Sequence, residues 1–165
     1  MKKLVLNQPA ELKSIVKFGN LKLPKTTMIF NMSSATDCPS RRLGLCEYED
    51  ICYAKKPEMI YPKVLPYRRR QEGYWLFTDA DKIVLDCYRL LLRKNHNVDA
   101  FRFNESGDFH SQDCVEKLDY VARHLSDRLG IITYGYTARN DLDFSSVGFV
   151  VRNSTSKPIV GAGVT

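Results

Sequence analysis

No apolar run in this 165-residue chain approaches the length of a bilayer-spanning helix, so no membrane segment is expected. The stretch after Met1-Lys2-Lys3 is also too short for the core of a secretory leader. Internal repeats and low-complexity tracts are missing, which removes repeat architectures from consideration. Charge of one sign is not in large surplus: 25 Lys and Arg stand against 19 Asp and Glu, giving +6. That excess suits an anionic partner such as nucleic acid or a phosphorylated small molecule, and many enzymes carry as much. Cysteines are few and odd in number, five in all, so a disulfide framework would leave one thiol over. A reducing cytoplasm is the expected setting, where clustered cysteines favour metal or redox chemistry.

What the chain does have is an unusual loop. Cys38, Cys46 and Cys52 follow directly on the apolar run from Thr27 to Phe30, at the spacing C-x7-C-x5-C, interrupted by Pro39, Gly44 and two arginines. No helical or strand period can put three residues so spaced on one buried face. The other two cysteines behave differently. Cys87 shares a helix face with Ile83, Leu90 and Leu91, and Cys114 shares one with Leu118, Val121 and Leu125, so both read as core residues. The loop cysteines therefore point to an inorganic centre. Zinc would need a fourth ligand, from His110 or a core cysteine. An iron-sulfur cluster is the alternative, as a four-iron cubane with one open iron or as a three-iron cluster.

Strand signals lie at 27–32, 100–103, 131–136 and 148–152, and the clearest helix signals run from Asp79 to Lys94 and from Ser111 to Arg128. A short helical turn is expected from Glu47 to Tyr53 and a further helical stretch around Arg68 to Leu76, with Pro57, Pro62 and Pro66 breaking the pattern between them. Thr78 or Asp79 is placed to cap one helix, which ends near Asn95. Ser111 offers its hydroxyl as a cap to the next, which Gly130 closes. Residues before Pro24 suggest an edge strand or an irregular lead-in. Alternation of strand and helix is the pattern of a parallel sheet with right-handed crossovers. We expect one α/β domain over residues 1–165, a partial (βα) barrel or a small open parallel sheet flanked by helices. A complete eight-stranded barrel takes about 250 residues. The Gly-rich stretch Val160-Gly161-Ala162-Gly163 near the last residue suggests a homo-oligomer formed along an open edge, or a chain that continues.

Loops leaving the carboxyl ends of parallel strands converge, so chemistry is expected there. Each predicted strand ends in polar residues, among them Asn31 on the first, Asn104 on the second, Arg139 just past the third and Asn153 on the fourth. The segment Asn104-Glu105-Ser106-Gly107-Asp108-Phe109-His110 offers two carboxylates around a glycine that lets backbone approach a ligand. Glu105, Asp108 and His110 are the candidate catalytic groups. Asn31, Asn104, Gly107, Arg139 and Asn153 are the candidate substrate contacts, and Cys38, Cys46 and Cys52 the candidate metal ligands. The bland alternative for Asp108 and His110 is turn and capping chemistry. The basic run Tyr67-Arg68-Arg69-Arg70, beside Tyr74 and Trp75, could hold phosphates and stack bases, or be a solvated helix face with its aromatics turned inward.

Asp37-Cys38-Pro39, Cys46, Ile51-Cys52-Tyr53-Ala54-Lys55 and the distant Ser106-Gly107-Asp108-Phe109 resemble an uncharacterised phage-encoded family, gene product 88, over roughly Asn31 to Asn153. The resemblance implies a viral protein of the host cytoplasm, barrel-like and α/β, binding an iron-sulfur cluster (4Fe-4S or 3Fe-4S) through Cys38, Cys46 and Cys52. It also implies that Gly107 and Asp108 adjoin the pocket. Members of that family commonly continue into a further cysteine-rich tail, which does not occur within these residues. The leading expectation is an iron-sulfur oxidoreductase or lyase acting on a small polar substrate. Its rival is a zinc-stabilised module that binds nucleic acid or a host protein through Tyr67 to Arg70.

Overall fold

Strands that alternate with helices pair in the order in which the chain makes them. The computed structural model describes residues 11–93 and 97–161. The Met1-Lys2-Lys3 opening, the helix end expected at Asn95 and the part of the Gly-rich tail at 162–165 lie outside the described residues. Among the described residues five strands form one sheet: β1 (Lys17–Phe18), β2 (Thr27–Phe30), β3 (Ala100–Phe103), β4 (Ile132–Thr137) and β5 (Val150–Asn153), ordered β1-β2-β3-β4-β5. β1 runs antiparallel to β2, and β2 to β5 are mutually parallel. The helices are α1 (Pro39–Arg42), α2 (Lys55–Ile60), α3 (Val64–Phe77), α4 (Ala80–Arg93) and α5 (Gln112–Leu129). The result is an open, mostly parallel sheet flanked by helices, with its one antiparallel strand at the edge where the lead-in was expected.

Register puts Met28, Phe101 and Thr133 in one row, and Phe30, Phe103, Gly135 and Val151 in the next, all on one side of the sheet. Their large apolar members form a single core with α4 and α5. Ile83, Cys87, Leu90 and Leu91 come from α4; Cys114, Leu118, Val121 and Leu125 come from α5. Both control cysteines are thus core residues, as the helical period requires. Gly135 has no side chain because Phe103 occupies the place: a Cβ there would meet the Phe103 ring at 2.7 Å. Phe103, Phe109, Phe144 and Phe149 pack edge to face or stacked, closing the end of the core nearest the carboxyl ends of the strands.

Several local expectations are corrected. Glu47 to Tyr53 is a series of turns and a helix begins only at Lys55, while the helix expected around Arg68 begins earlier, at Val64. Pro57 and Pro66 are each the third residue of a helix, where the missing N–H has no intrahelical partner to lose, so they start helices where breaks were expected. Ser111 stands at the start of α5 but its hydroxyl makes no capping bond; its carbonyl accepts from the Cys114 amide at 3.1 Å. Gly130 ends α5 at a φ of 65°, as the sequence suggested. Lys117 ties the end of α3 to α5, donating to the carbonyls of Trp75 at 2.7 Å and Thr78 at 2.9 Å. Among the described residues no helix is long and apolar enough to cross a membrane.

Candidate functional site

All four parallel strands send their following residues to one cleft of about 310 Å³. Residues after β2 contribute Ala35, Cys38, Ser40 and Arg41, and the rest of that loop adds Cys46, Tyr48, Cys52 and Tyr53. Residues after β3 contribute the run from Asn104 to Asp108; β4 ends in Tyr136 and Thr137, with Ala138 next; Ser154 follows β5. Pro39 starts the single-turn helix α1 directly after Cys38, and Gly44, at a φ of 67°, lets the chain leave it. That turn is what brings Cys38 and Ser40 in over the strand ends.

The floor of the cleft is a buried carboxylate. Asp108 Oδ2 accepts from the Ser40 hydroxyl at 2.5 Å and the Ala138 amide at 2.8 Å. Its Oδ1 accepts from the Thr137 hydroxyl at 2.5 Å and from its neighbour's amide, Phe109, at 2.9 Å. One side chain thereby joins the loops after β2, β3 and β4. Burial pushes the carboxyl up, opposed by the hydrogen bonds from Ser40, Thr137, Ala138 and Phe109. Because each oxygen takes one backbone amide, Asp108→Asn must turn an NH2 against an N–H in either orientation. We expect it to lose about 1–3 kcal/mol, read as a lower urea midpoint; an unchanged midpoint would remove Asp108 as the staple of these loops.

The loops after β2 and β3 also zip together directly. Asn31 Oδ1 accepts from the Ser106 amide, the Ser106 hydroxyl donates to Ser33 O, and the Asp108 amide donates to Ser33 Oγ. Asn104 takes a positive φ of 57° and accepts from the Met32 amide at 3.0 Å. Glu105 lines the cleft and accepts from Asn20 Nδ2 at 2.6 Å, while Tyr53 donates its hydroxyl to Glu105 O at 3.1 Å. Behind the loop, Arg68 and Glu58 form a buried ion pair at 2.6 Å, and Glu58 also accepts from the amides of Ala35 and Thr36.

The metal and iron-sulfur expectation is corrected by this geometry. Cys38, Cys46 and Cys52 all line the cleft, but among the described residues no group of three or more His, Cys, Asp or Glu is gathered as a metal ion requires. The residues present do not fit a cluster: the thiols share a wall, not a centre. Local bonding explains why. The Cys38 thiol stands 3.5 Å from Ser40 Oγ at the head of α1, while Cys46 and Cys52 sit beyond it in the turns around Tyr48. Burial pushes the Cys38 and Cys46 thiols up, with Asp108 adding to both and Cys52 to Cys46. All five cysteines are free thiols.

Of the other expected site residues, Asn104, Glu105, Gly107 and Asp108 line the cleft, and four do not. Asn31 is buried against Gln71 and Ser106. His110 turns to α3, with Nε2 3.1 Å from Glu72 and 3.2 Å from Met32 O, and its pKa is lowered first by burial. Arg139 is buried, paired with Asp141 at 2.8 Å and donating to the carbonyls of Phe109 and His110. Asn153 bonds to Lys157 O and the Thr155 amide, leaving Ser154 to face the cleft. Sequence reasoning missed Ser40, Arg41, Tyr48, Tyr53 and Tyr136, whose only signal is nearness to the cysteines or to a strand end. In the basic run, Arg68 is committed to Glu58, Arg69 to Asp37 at 2.8 Å, and Arg70 lies 6.0 Å from the Tyr67 ring centre, while Tyr74 and Trp75 are in the core.

The family model for gene product 88 matches residues 3–151. The chain belongs to the gene product 88 family. That match spans β1 to the start of β5, and so every cleft residue of this family member except Ser154. No curated protein and no solved structure matches the chain.

Proposed function

We propose that this gene product 88 family member is an enzyme that binds a small polar substrate in the cleft at the carboxyl ends of β2 to β5, in the host cytoplasm. The observation that carries the reading is the convergence of residues from four parallel strands on one cleft of about 310 Å³, a size suited to a small molecule. The line Cys38 Sγ, Ser40 Oγ, Asp108 Oδ2 supports proton transfer there. Ser40 gives its hydrogen to Asp108, so Cys38 donates to Ser40, and a proton leaving the thiol has a path to a buried carboxylate. Arg41 and Glu105, both lining the cleft, supply charges for orienting a polar ligand. With Arg68 and Arg69 held in ion pairs, the α3 run has little free charge for nucleic acid, which favours the small-molecule reading over that rival.

Thiol protection tests this. Amino acids, nucleosides and sugar phosphates are added singly to protein prepared without air, and N-ethylmaleimide labelling is mapped by mass spectrometry. We expect one class to slow alkylation of Cys38, Cys46 and Cys52 together and to raise the melting temperature, with buried Cys87 and Cys114 unlabelled throughout. If no class protects the cleft thiols, the proposal fails. Stoichiometric iron and sulfide, or zinc, in the same preparation would also overturn it.

A further inference from the structure

The second face of the sheet bears none of the core side chains that pack on α4 and α5. Along β4 the residues alternate, with Thr133, Gly135 and Thr137 buried and Ile132, Tyr134 and Tyr136 turned outward. Register sets Arg102, Tyr134 and Val150 in one row across β3, β4 and β5, with Lys17 at the far end of the same row beyond Ile29. Tyr136 and Arg152 lie in the next row. Near β2 this face is covered, since Ile29 is buried, but over β3 to β5 it is open: Ile132 is 63% exposed, Val150 49% and Tyr136 41%.

A parallel sheet normally has both faces covered, because its crossovers and its apolar strands demand it. The composition of this face says what covers it. Arg102 and Arg152 supply two cations, the five strands contain no Asp or Glu, and two tyrosines stand two residues apart on one strand, about 7 Å. The Arg102 guanidinium lies 5.6 Å from the Tyr136 ring centre, and its buried Nε has no hydrogen-bond acceptor. A second copy of the chain docked about a two-fold axis would set these cations against themselves. A single strand of nucleic acid matches them, phosphates to the arginines and base faces to the tyrosines.

We propose that the open face formed by β3, β4 and β5 binds single-stranded nucleic acid, with Tyr134 and Tyr136 stacking bases and Arg102 and Arg152 holding phosphates. Phosphates and base faces are common to DNA and RNA, so the two count as one ligand class. This surface is independent of the small-molecule reading of the cleft, although Tyr136 borders both.

Fluorescence anisotropy of the full chain with a labelled oligothymidylate about a dozen nucleotides long tests it, in the range one such platform covers. Binding should weaken steeply with salt, and Arg152→Glu, at an exposed position, should weaken it further and flatten the salt slope by about 0.7 for each phosphate left without its cation. Tyr134→Ala should weaken binding roughly 5- to 150-fold, the range for one missing base stack, while Tyr134→Phe, which keeps the ring, should bind as the native chain does. Absence of binding at low salt would overturn the proposal. So would binding that survives Tyr134→Ala and Arg152→Glu but disappears in Arg70→Ala, which would place it on α3. A dimer in sedimentation that Ile132→Glu dissociates would assign the face to a second copy instead.

Discussion

Gly107→Ala should destabilise the protein by roughly 4 kcal/mol or more, among the largest effects a single methyl group can have. Two costs combine. Gly107 has a φ of 72°, and an L side chain in the left-handed region costs about 1–2 kcal/mol by itself. The larger cost is overlap: a Cβ on Gly107 would lie 2.6 Å from the Ser33 carbonyl carbon and closer still to its O and Oγ. Ser33 cannot retreat, because its carbonyl accepts from the Ser106 hydroxyl and its Oγ from the Asp108 amide. The methyl group must therefore part the loops after β2 and β3, and with them the Ser40 to Asp108 bond in the cleft floor. A lowered urea midpoint together with faster alkylation of Cys38 checks this. Native stability in the variant would mean that the two loops do not lie against each other as described.

Arg68→Ala is expected to cost about 3–5 kcal/mol, because it strands a buried carboxylate. The Glu58 side chain is 1% exposed and the Arg68 side chain 8%, and the guanidinium also donates to Ala54 O at 2.6 Å. This pair anchors the returning end of the cysteine loop to α3. Burial raises Glu58, but hydrogen bonds from Arg68, from Thr36 and from the amides of Ala35 and Thr36 outweigh it, so its pKa lies below its ordinary value of 4.5. A carboxyl depressed on folding adds stability that is complete above that ordinary value and is lost as pH falls through the folded value. Stability of the native chain should therefore drop on acidification below pH 4.5, and the difference between native chain and Arg68→Ala should shrink over the same interval. A difference that stays constant with pH would show that Arg68 acts through packing alone.

The amphipathic helices were legible because their period is local. The buried faces of α4 and α5, with Cys87 and Cys114 on them, follow from spacing alone, and so does the polar character of every strand end. Gly107 and Asp108 were legible as neighbours of a pocket, though not what they do there. Asp108 looked like a free carboxylate and is a staple with four donors; Arg139 and His110 looked available and are held, Arg139 by the carbonyls of Phe109 and His110 and His110 by Glu72. Partners that lie about 30 or more residues away leave no trace in local pattern.

The chain's own order of residues determined that this is a strand-and-helix protein whose loops meet at the carboxyl ends of a parallel sheet, because hydrophobic period and crossover handedness are properties of short segments. Where the three thiols stand was decided only by the tertiary structure. Their separation depends on a single-turn helix starting at Pro39, on the Arg68 and Glu58 pair behind the loop, and on the close approach of Ser33 to Gly107 across it. The open face over β3 to β5 was decided there as well, since which side of a strand is covered depends on where distant helices pack.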